Sequence, residues 1–205
     1  MTEKEKQVVV QKSLEQQEEN VVVEIVKTLV TAAILAFGIR TFVAEARYIP
    51  SESMQPTLEI NDRLIVEKIS YRFRTPQRGD VVVFRPTEEL KKQGYNEAFI
   101  KRVIGLPGDT VEVKNDEVLV NGQKLPEKYI LIPADYRPRP SRPYGPTKVP
   151  EDQYLVLGDN RNNSLDSRSW GFVPRENLIG RATVRFWPLN RIGALDEKPI
   201  YPIDN

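Results

Sequence analysis

The sequence predicts a mainly β domain behind a single N-terminal helix long enough to cross a membrane. Three observations carry this expectation. The stretch from Val21 to Val43 holds only three charges, Glu24, Lys27 and Arg40. After Tyr48 the hydrophobic pattern switches to period two and recurs in six short segments, as half-buried strands require. Sixteen prolines, and no amphipathic stretch of useful helical length after residue 50, favour short strands and loops.

The composition bounds the chemistry. A chain of 205 residues holds one ordinary core, or one core plus an anchor. With 29% charged and 40% apolar residues it belongs with folded chains, not disordered ones. A formal net charge of +1 gives no reason to expect a nucleic-acid partner. There is no cysteine, which excludes disulfides, thiol catalysis and thiolate metal sites. There is no histidine either, which excludes a Ser-His-Asp triad and His-ligated metals. A serine nucleophile here must find its base in a lysine, a carboxylate or the N-terminus.

The elements follow in order. Residues 1–20 read as a polar, solvated tail with five acidic and three basic side chains, helical toward Val21. Residues 21–43 read as a transmembrane anchor. Thr28 to Ile39 alone would span about 18 Å as a helix against roughly 30 Å of hydrocarbon. Snorkelling of Lys27 and Arg40, and an i, i+3 pair between Glu24 and Lys27, would lengthen the usable span. Two other readings stand beside the anchor: a buried soluble helix, and a cleaved signal peptide ending at Ala44-Glu45-Ala46. The long acidic lead argues against the second. Residues 44–205 read as the β-rich domain. Its expected strands lie in Asp62–Tyr71, Gly79–Arg85, Ala98–Leu106, Thr110–Gly122, Gln153–Asn160 and Arg181–Trp187, with a hairpin turn at Asn115-Asp116. Arg85 to Glu97 reads as a charged excursion, and Pro133 to Pro150, with six prolines, as a stiff irregular loop. Leu189 to Asn205 carries no pattern.

Three places could hold chemistry. Ser51 and Ser53 sit in YIPSESMQPTL, stiffened by Pro50 and Pro56. A turn serine explains them, and so does a positioned nucleophile. In FIKRVIG, period two puts Phe99, Lys101 and Val103 on one face and Ile100, Arg102 and Ile104 on the other. Either the alternation is shifted by one residue, or Lys101 escapes from an edge strand, or it is buried, and a buried lysine tends to lose its proton and become a base. The third place is GDNRNNSLDSRSWGF, Gly158 to Phe172. It reads as a self-satisfied turn cluster, or as a polar shell around a catalytic lysine.

Together IPSESMQPTL, KRVIGLPGD and GDNRNNSLDSRSWGFVP, in that order, resemble the type I signal peptidases. These are membrane-bound Ser–Lys endopeptidases that remove signal peptides from exported preproteins. DRLIVEKISY and GDVVVF match as well, and RTFVAEARYIPSESM with GYNEAFIKRV looks most like the cyanobacterial and plastid branch. The resemblance runs from the anchor to about Pro188. It implies a coiled β-sheet or barrel of the signal-peptidase type, extracytoplasmic, in a plasma or thylakoid membrane. It implies Ser53 as nucleophile, Lys101 as general base, and Ser51 as oxyanion donor beside the nucleophile's own N–H. It further implies that Ser164 holds the lysine amine, that Asp166 and Arg168 support it as an ion pair, and that a side chain at Gly158 would crowd the lysine. Met54, Phe99 and Ile100 would contact a substrate with small residues before the cut. The partners would be preprotein signal peptides and the lipid bilayer, the enzyme a monomer, with no metal or cofactor.

Two positions depart from the family pattern: Glu52, where glycine is usual, stands between the serines, and Asn162 stands where aspartate is common. A self-cleaving Ser–Lys repressor is a rival, but this chain has an acidic, apolar N-terminus in place of a DNA-binding region. An inactive membrane-anchored adaptor is another, set against the full complement of catalytic residue types.

Overall fold

A lead rich in the good helix formers Glu, Gln and Lys runs into an apolar stretch that no proline interrupts before Pro50, and the chain opens as one long helix. In the computed structural model, which describes residues 3–115, 117–127, 129–130 and 143–195 (side chains from residue 21 onward), α1 spans Glu3–Gly38 and passes into a π-type turn over Ile39–Val43. The polar lead is therefore helical almost from its start, well before Val21. Val21–Val43 is long and apolar enough to cross a bilayer, about 35 Å at 1.5 Å per residue. Lys27 Nζ donates to Glu24 Oε1 at 3.2 Å, the expected i, i+3 pair.

The chain divides into two units, Met1–Val43 and Ala44–Asn205. Among the described residues the second contains β1 (Ala44–Tyr48), β2 (Arg63–Glu67), β3 (Val81–Phe84), β4 (Phe99–Gly105), β5 (Thr110–Lys114), β6 (Glu117–Val120), β7 (Gln123–Lys124), β8 (Tyr144–Lys148), β9 (Gln153–Leu157), β10 (Val173–Pro174), β11 (Leu178–Trp187) and β12 (Gly193–Ala194). The large sheet runs β1-β2-β11-β3-β4-β9-β10, with β12 on β11; the small one runs β7-β6-β5-β8. Every pairing is antiparallel. Register shifts along β11 between Leu178 and Gly180, Ala182 and Val184, and Arg185 and Trp187 curl the large sheet.

Each of the six expected segments contains a strand, but their ends differ. Asp62–Tyr71 is strand only over Arg63–Glu67. The Glu67 carboxylate then accepts from Ser70 N, and α2 (Ser70–Phe73) follows. The charged excursion holds α3 (Glu88–Lys92), capped by Thr87 Oγ1 and carrying acids in its first turn and lysines in its last. Part of the proline-rich loop is β8, and Pro146 lies where the register to β5 slips, on an edge strand that can do without its donor. Residues 131–142 lie outside the described residues. The hairpin joins Lys114 to Glu117, with Asn115 in the left-handed region at φ 53°.

β4 is the pivot of the core. Val103 packs with Val82, Phe84, Tyr154 and Trp170. Ile104 packs with Val111, Val118 and Leu157, joining the small sheet to the large one. Ile100 rests on a third cluster of Ile49, Met54, Leu58, Leu64 and Val81. One strand thus touches all three apolar clusters.

Candidate active site

The segment after β1 is pinned by apolar side chains on both sides of its serines. Ile49, Met54 and Leu58 are buried together. Between them the chain makes a single 3-10 turn, Glu52–Met54. The turn exposes Ser51 and leaves Ser53 8% accessible. Met54 therefore serves as a plug beneath the turn and does not line the cleft, contrary to the substrate contact expected of it. A large apolar side chain on so tight a turn gains more from the core than from water.

Lys101 comes from the middle of β4, opposite Val82 of β3. It is 3% accessible. Its Nζ lies 2.7 Å from Ser53 Oγ and 2.9 Å from the Ile100 carbonyl, and 5.6 Å from the centre of the Phe99 ring. As an ammonium it donates to Ser53 Oγ; once neutral it can accept the proton that Oγ–H donates along the same line. Burial pushes its pKa down to about 8, against a weaker upward pull from Asp166 and Asp159. Those two carboxylates have their charges engaged elsewhere. Arg102, on the opposite face of β4 and 1% accessible, grips Asp159 through Nε at 2.8 Å and Nη2 at 2.6 Å. Arg168 grips Asp166 through Nε and Nη2, both at 2.8 Å.

Ser51 Oγ lies 3.3 Å from Ser53 Oγ, near enough for one group to contact both. The turn is tied to the loop after β9 by Asn160, whose N–H donates to Ser53 O at 3.1 Å and whose Nδ2 donates to Glu52 O at 3.2 Å. Gly158 is packed closely there. A Cβ on it would meet Ser164 Oγ at 2.2 Å and Ser53 O at 2.4 Å. Such a Cβ would meet Ser164 and the Ser53 carbonyl first, ahead of the lysine that the resemblance named. Ser164 differs as well. Its Oγ is buried without a hydrogen-bond partner, so the bond expected to the lysine amine is not formed. The lysine instead spends its donors on Ser53 and the Ile100 carbonyl. Asp166 supports the loop directly, accepting from Gly158 N at 3.1 Å.

An open cleft of about 530 Å³ runs over this ground, lined by Ser51, Ser53 and Lys101 and by the apolar Ile60, Phe99 and Leu165, with Ile100 beside them. Sequence reasoning left several supporting groups unassigned. Thr57 Oγ1 donates to Asp159 at 2.5 Å. Arg161 holds the Gly158 carbonyl with Nε at 3.0 Å and Glu127 with both Nη groups. The available signal was Arg102 itself, which shares a strand face with Ile100 and Ile104 and so had to be buried with a partner.

The chain from 22 to 187 matches the family model described as signal peptidase, peptidase S26. It is 63% identical over 186 residues to probable signal peptidase I-2 of Synechocystis sp., covering 91% of this chain and 83% of that one. It is 65% identical over 178 residues to signal peptidase I of Leptolyngbya laminosa, covering 86% and 85%. Against probable thylakoidal processing peptidase 2, chloroplastic, of Arabidopsis thaliana it is 42% identical over 175 residues, covering 84% of this chain and 46% of that protein. The chain belongs to the signal peptidase family, peptidase S26, as a type I signal peptidase of the branch shared by cyanobacteria and plastids.

Proposed function

We propose that this peptidase removes signal peptides from preproteins with a Ser53–Lys101 dyad, cutting after small residues in A-x-A-like sites. The observation that carries the reading is the 2.7 Å approach of Lys101 Nζ to Ser53 Oγ in a buried setting that lowers the amine's pKa to about 8. Neutral Lys101 takes the proton of Ser53 Oγ as that oxygen attacks the scissile carbonyl. The developing oxyanion is held by Ser51 Oγ–H and Ser53 N–H. The protonated amine then supplies the leaving nitrogen. Water, deprotonated by the same lysine, hydrolyses the ester and restores Ser53. No metal or cofactor is needed for any step.

The substrate segment adds to the free flank of β4. Phe99 and Ile100 pair with Phe84 and Val83 of β3, whereas pairing to β9 begins only at Arg102 with Leu157. An extended peptide beside Phe99 and Ile100 makes strand hydrogen bonds and presents alternate side chains to the cleft floor. The first and third residues before the cut face the apolar wall of Phe99 and Ile100, which favours small ones; the second faces out and is free to vary.

Residues 21–43 anchor the enzyme, residues 44–205 form the catalytic domain on the side to which preproteins are exported, and the enzyme works as a monomer. The host membrane is plasma or thylakoid. Detergent-solubilised full-length protein should convert a preprotein to a product whose N-terminus follows an A-x-A-like site. Wild-type protein that left such a preprotein intact, or Ser53→Ala protein that cut it, would overturn the reading.

A further inference from the structure

We infer that Glu52 selects substrates by charge, favouring a basic over an acidic residue in the first two positions after the cut; this rests on the peptidase reading above. Glu52 immediately precedes the nucleophile and lines the cleft. Its side chain is exposed but fixed, because Asn163 Nδ2 donates to Oε2 at 3.1 Å while Asn160 Nδ2 holds its main-chain carbonyl at 3.2 Å. A carboxylate held at both its backbone and its tip has a defined place, unlike a freely rotating surface glutamate.

On the substrate path proposed above, residues before the cut run from the dyad along β4 toward Ile100, Phe99 and Ala98, which leaves the dyad end of the cleft, where Glu52 adjoins Ser53, to the residues after it. Glu97, the other cleft carboxylate, lies at that far end, about 13 Å from Lys101 along an extended chain. Glu52 and Asn163 instead join the cleft at the dyad, where the loop after β9 meets the nucleophile turn. Among the described residues lining the cleft Lys101 is the sole cation, and it is buried and must be neutral to act as the base. Among the described residues lining the cleft, no other cation offsets the Glu52 charge toward an arriving substrate. A lysine or arginine just after the cut gains from it and an aspartate or glutamate loses. In an open, wet cleft the effect is modest, about three- to tenfold between the two charges.

The test uses full-length enzyme in detergent and two versions of one preprotein, with Lys or Glu at the second residue of the mature part, competing in the same reaction. Wild type should prefer the Lys version about three- to tenfold in kcat/KM, less at high salt. Glu52→Gln keeps an acceptor for Asn163 and removes only the charge, so the ratio should fall to within about twofold of one; Glu52→Lys should invert it. Because each ratio is taken on a single enzyme, changes in overall rate cancel. The same Lys/Glu swap four residues before the cut should not respond to Glu52→Gln. A wild-type ratio near one, a preference that survives Glu52→Gln, or a response confined to the upstream swap would each overturn the inference while leaving the peptidase intact. Failure of wild type to cut either version would instead remove the peptidase reading beneath it.

Discussion

Lys101 sits where an ordinary lysine would be a poor base, and its surroundings change that. With a pKa near 8, roughly a tenth of it is neutral at pH 7, against well under a thousandth for a free lysine. Activity should therefore rise with pH along a limb centred near 8 in kcat/KM, and Lys101→Arg, which holds its proton at any usable pH, should be inactive though folded. Substantial activity in Lys101→Arg would make the residue a charge donor and not a base. The same shift predicts a stability effect. Between about pH 8 and 10.5 the unfolded chain binds a proton that the folded chain does not, so stability rises with pH across that window and the penalty is fully present below it. Lys101→Met should accordingly be more stable than wild type at pH 7, by up to about 3 kcal/mol, and melt higher; a lower melting temperature would contradict a buried, destabilised amine. For the serines, Ser51→Ala should slow turnover about 10²–10³-fold while keeping binding, as losses of one oxyanion donor do, and Ser53→Ala should retain nothing. Equal residual rates in the two variants would refute the division of roles. The roles expected of these positions came from the resemblance of three sequence blocks, and residue chemistry only narrowed the choice. Without histidine or cysteine few nucleophile–base pairs remain, and period two sets Lys101 beside Phe99 and Val103. The surroundings of Ser164 and Gly158 were not legible because they depend on packing between the Ser53 turn and the loop after β9, about a hundred residues apart, whereas Met54 turns inward onto its near neighbours Ile49 and Leu58, a choice of side that the turn decides.

At the scale of elements, the site depends on two segments held at a fixed spacing, the Glu52–Met54 turn and the loop after β9. Gly158 lies where they meet, and its missing side chain leaves room for the Ser53 carbonyl. Gly158→Ala would put a methyl 2.2 Å from Ser164 Oγ and 2.4 Å from Ser53 O. The second of these is backbone and cannot swing aside, so the turn must move. The variant should lose at least tenfold in kcat and about 1–3 kcal/mol of stability, the usual size of overpacking, with its far-ultraviolet circular dichroism unchanged. A wild-type kcat in Gly158→Ala would mean the two segments are less closely coupled than the packing requires. The strands themselves were readable from alternation, since Val81–Phe84 and Phe99–Gly105 carry their own pattern. α3 was overlooked although TEELKK holds a cap, acids and lysines in helical order, because five residues are too short to show a period. β1, which follows the anchor directly, was hidden because Ala-Glu-Ala-Arg-Tyr has little strand character; its partner β2 supplies the reason it is extended.

At the scale of the molecule, one question governs whether the protein works at a membrane or leaves it: is Ala44-Glu45-Ala46 a cleavage site in its own chain? The motif has the right shape, but its backbone is already used. Ala44, Glu45 and Ala46 pair with Glu67, Val66 and Ile65 of β2, and Glu45 is further bound to Arg47 and to Lys68, at 2.5 Å and 2.7 Å. A peptidase that reads extended segments needs those backbone groups free, so the motif is withheld from it. Removal after Ala46 would also strip three of the five residues of β1 and open the edge of β2 to water. The apolar helix before it, long enough for a bilayer, should therefore stay attached. Carbonate extraction should leave the protein in the membrane fraction, and N-terminal sequencing of the protein from cells should begin ahead of the apolar helix at Val21. A mature N-terminus at Arg47 would show that the helix is a leader and not an anchor. The helix was the easiest part of the chain to recognise, because hydrophobic length alone announces it. Its permanence could not be read in the same way, since it rests on a pairing between Ala44–Ala46 and a strand some twenty residues later.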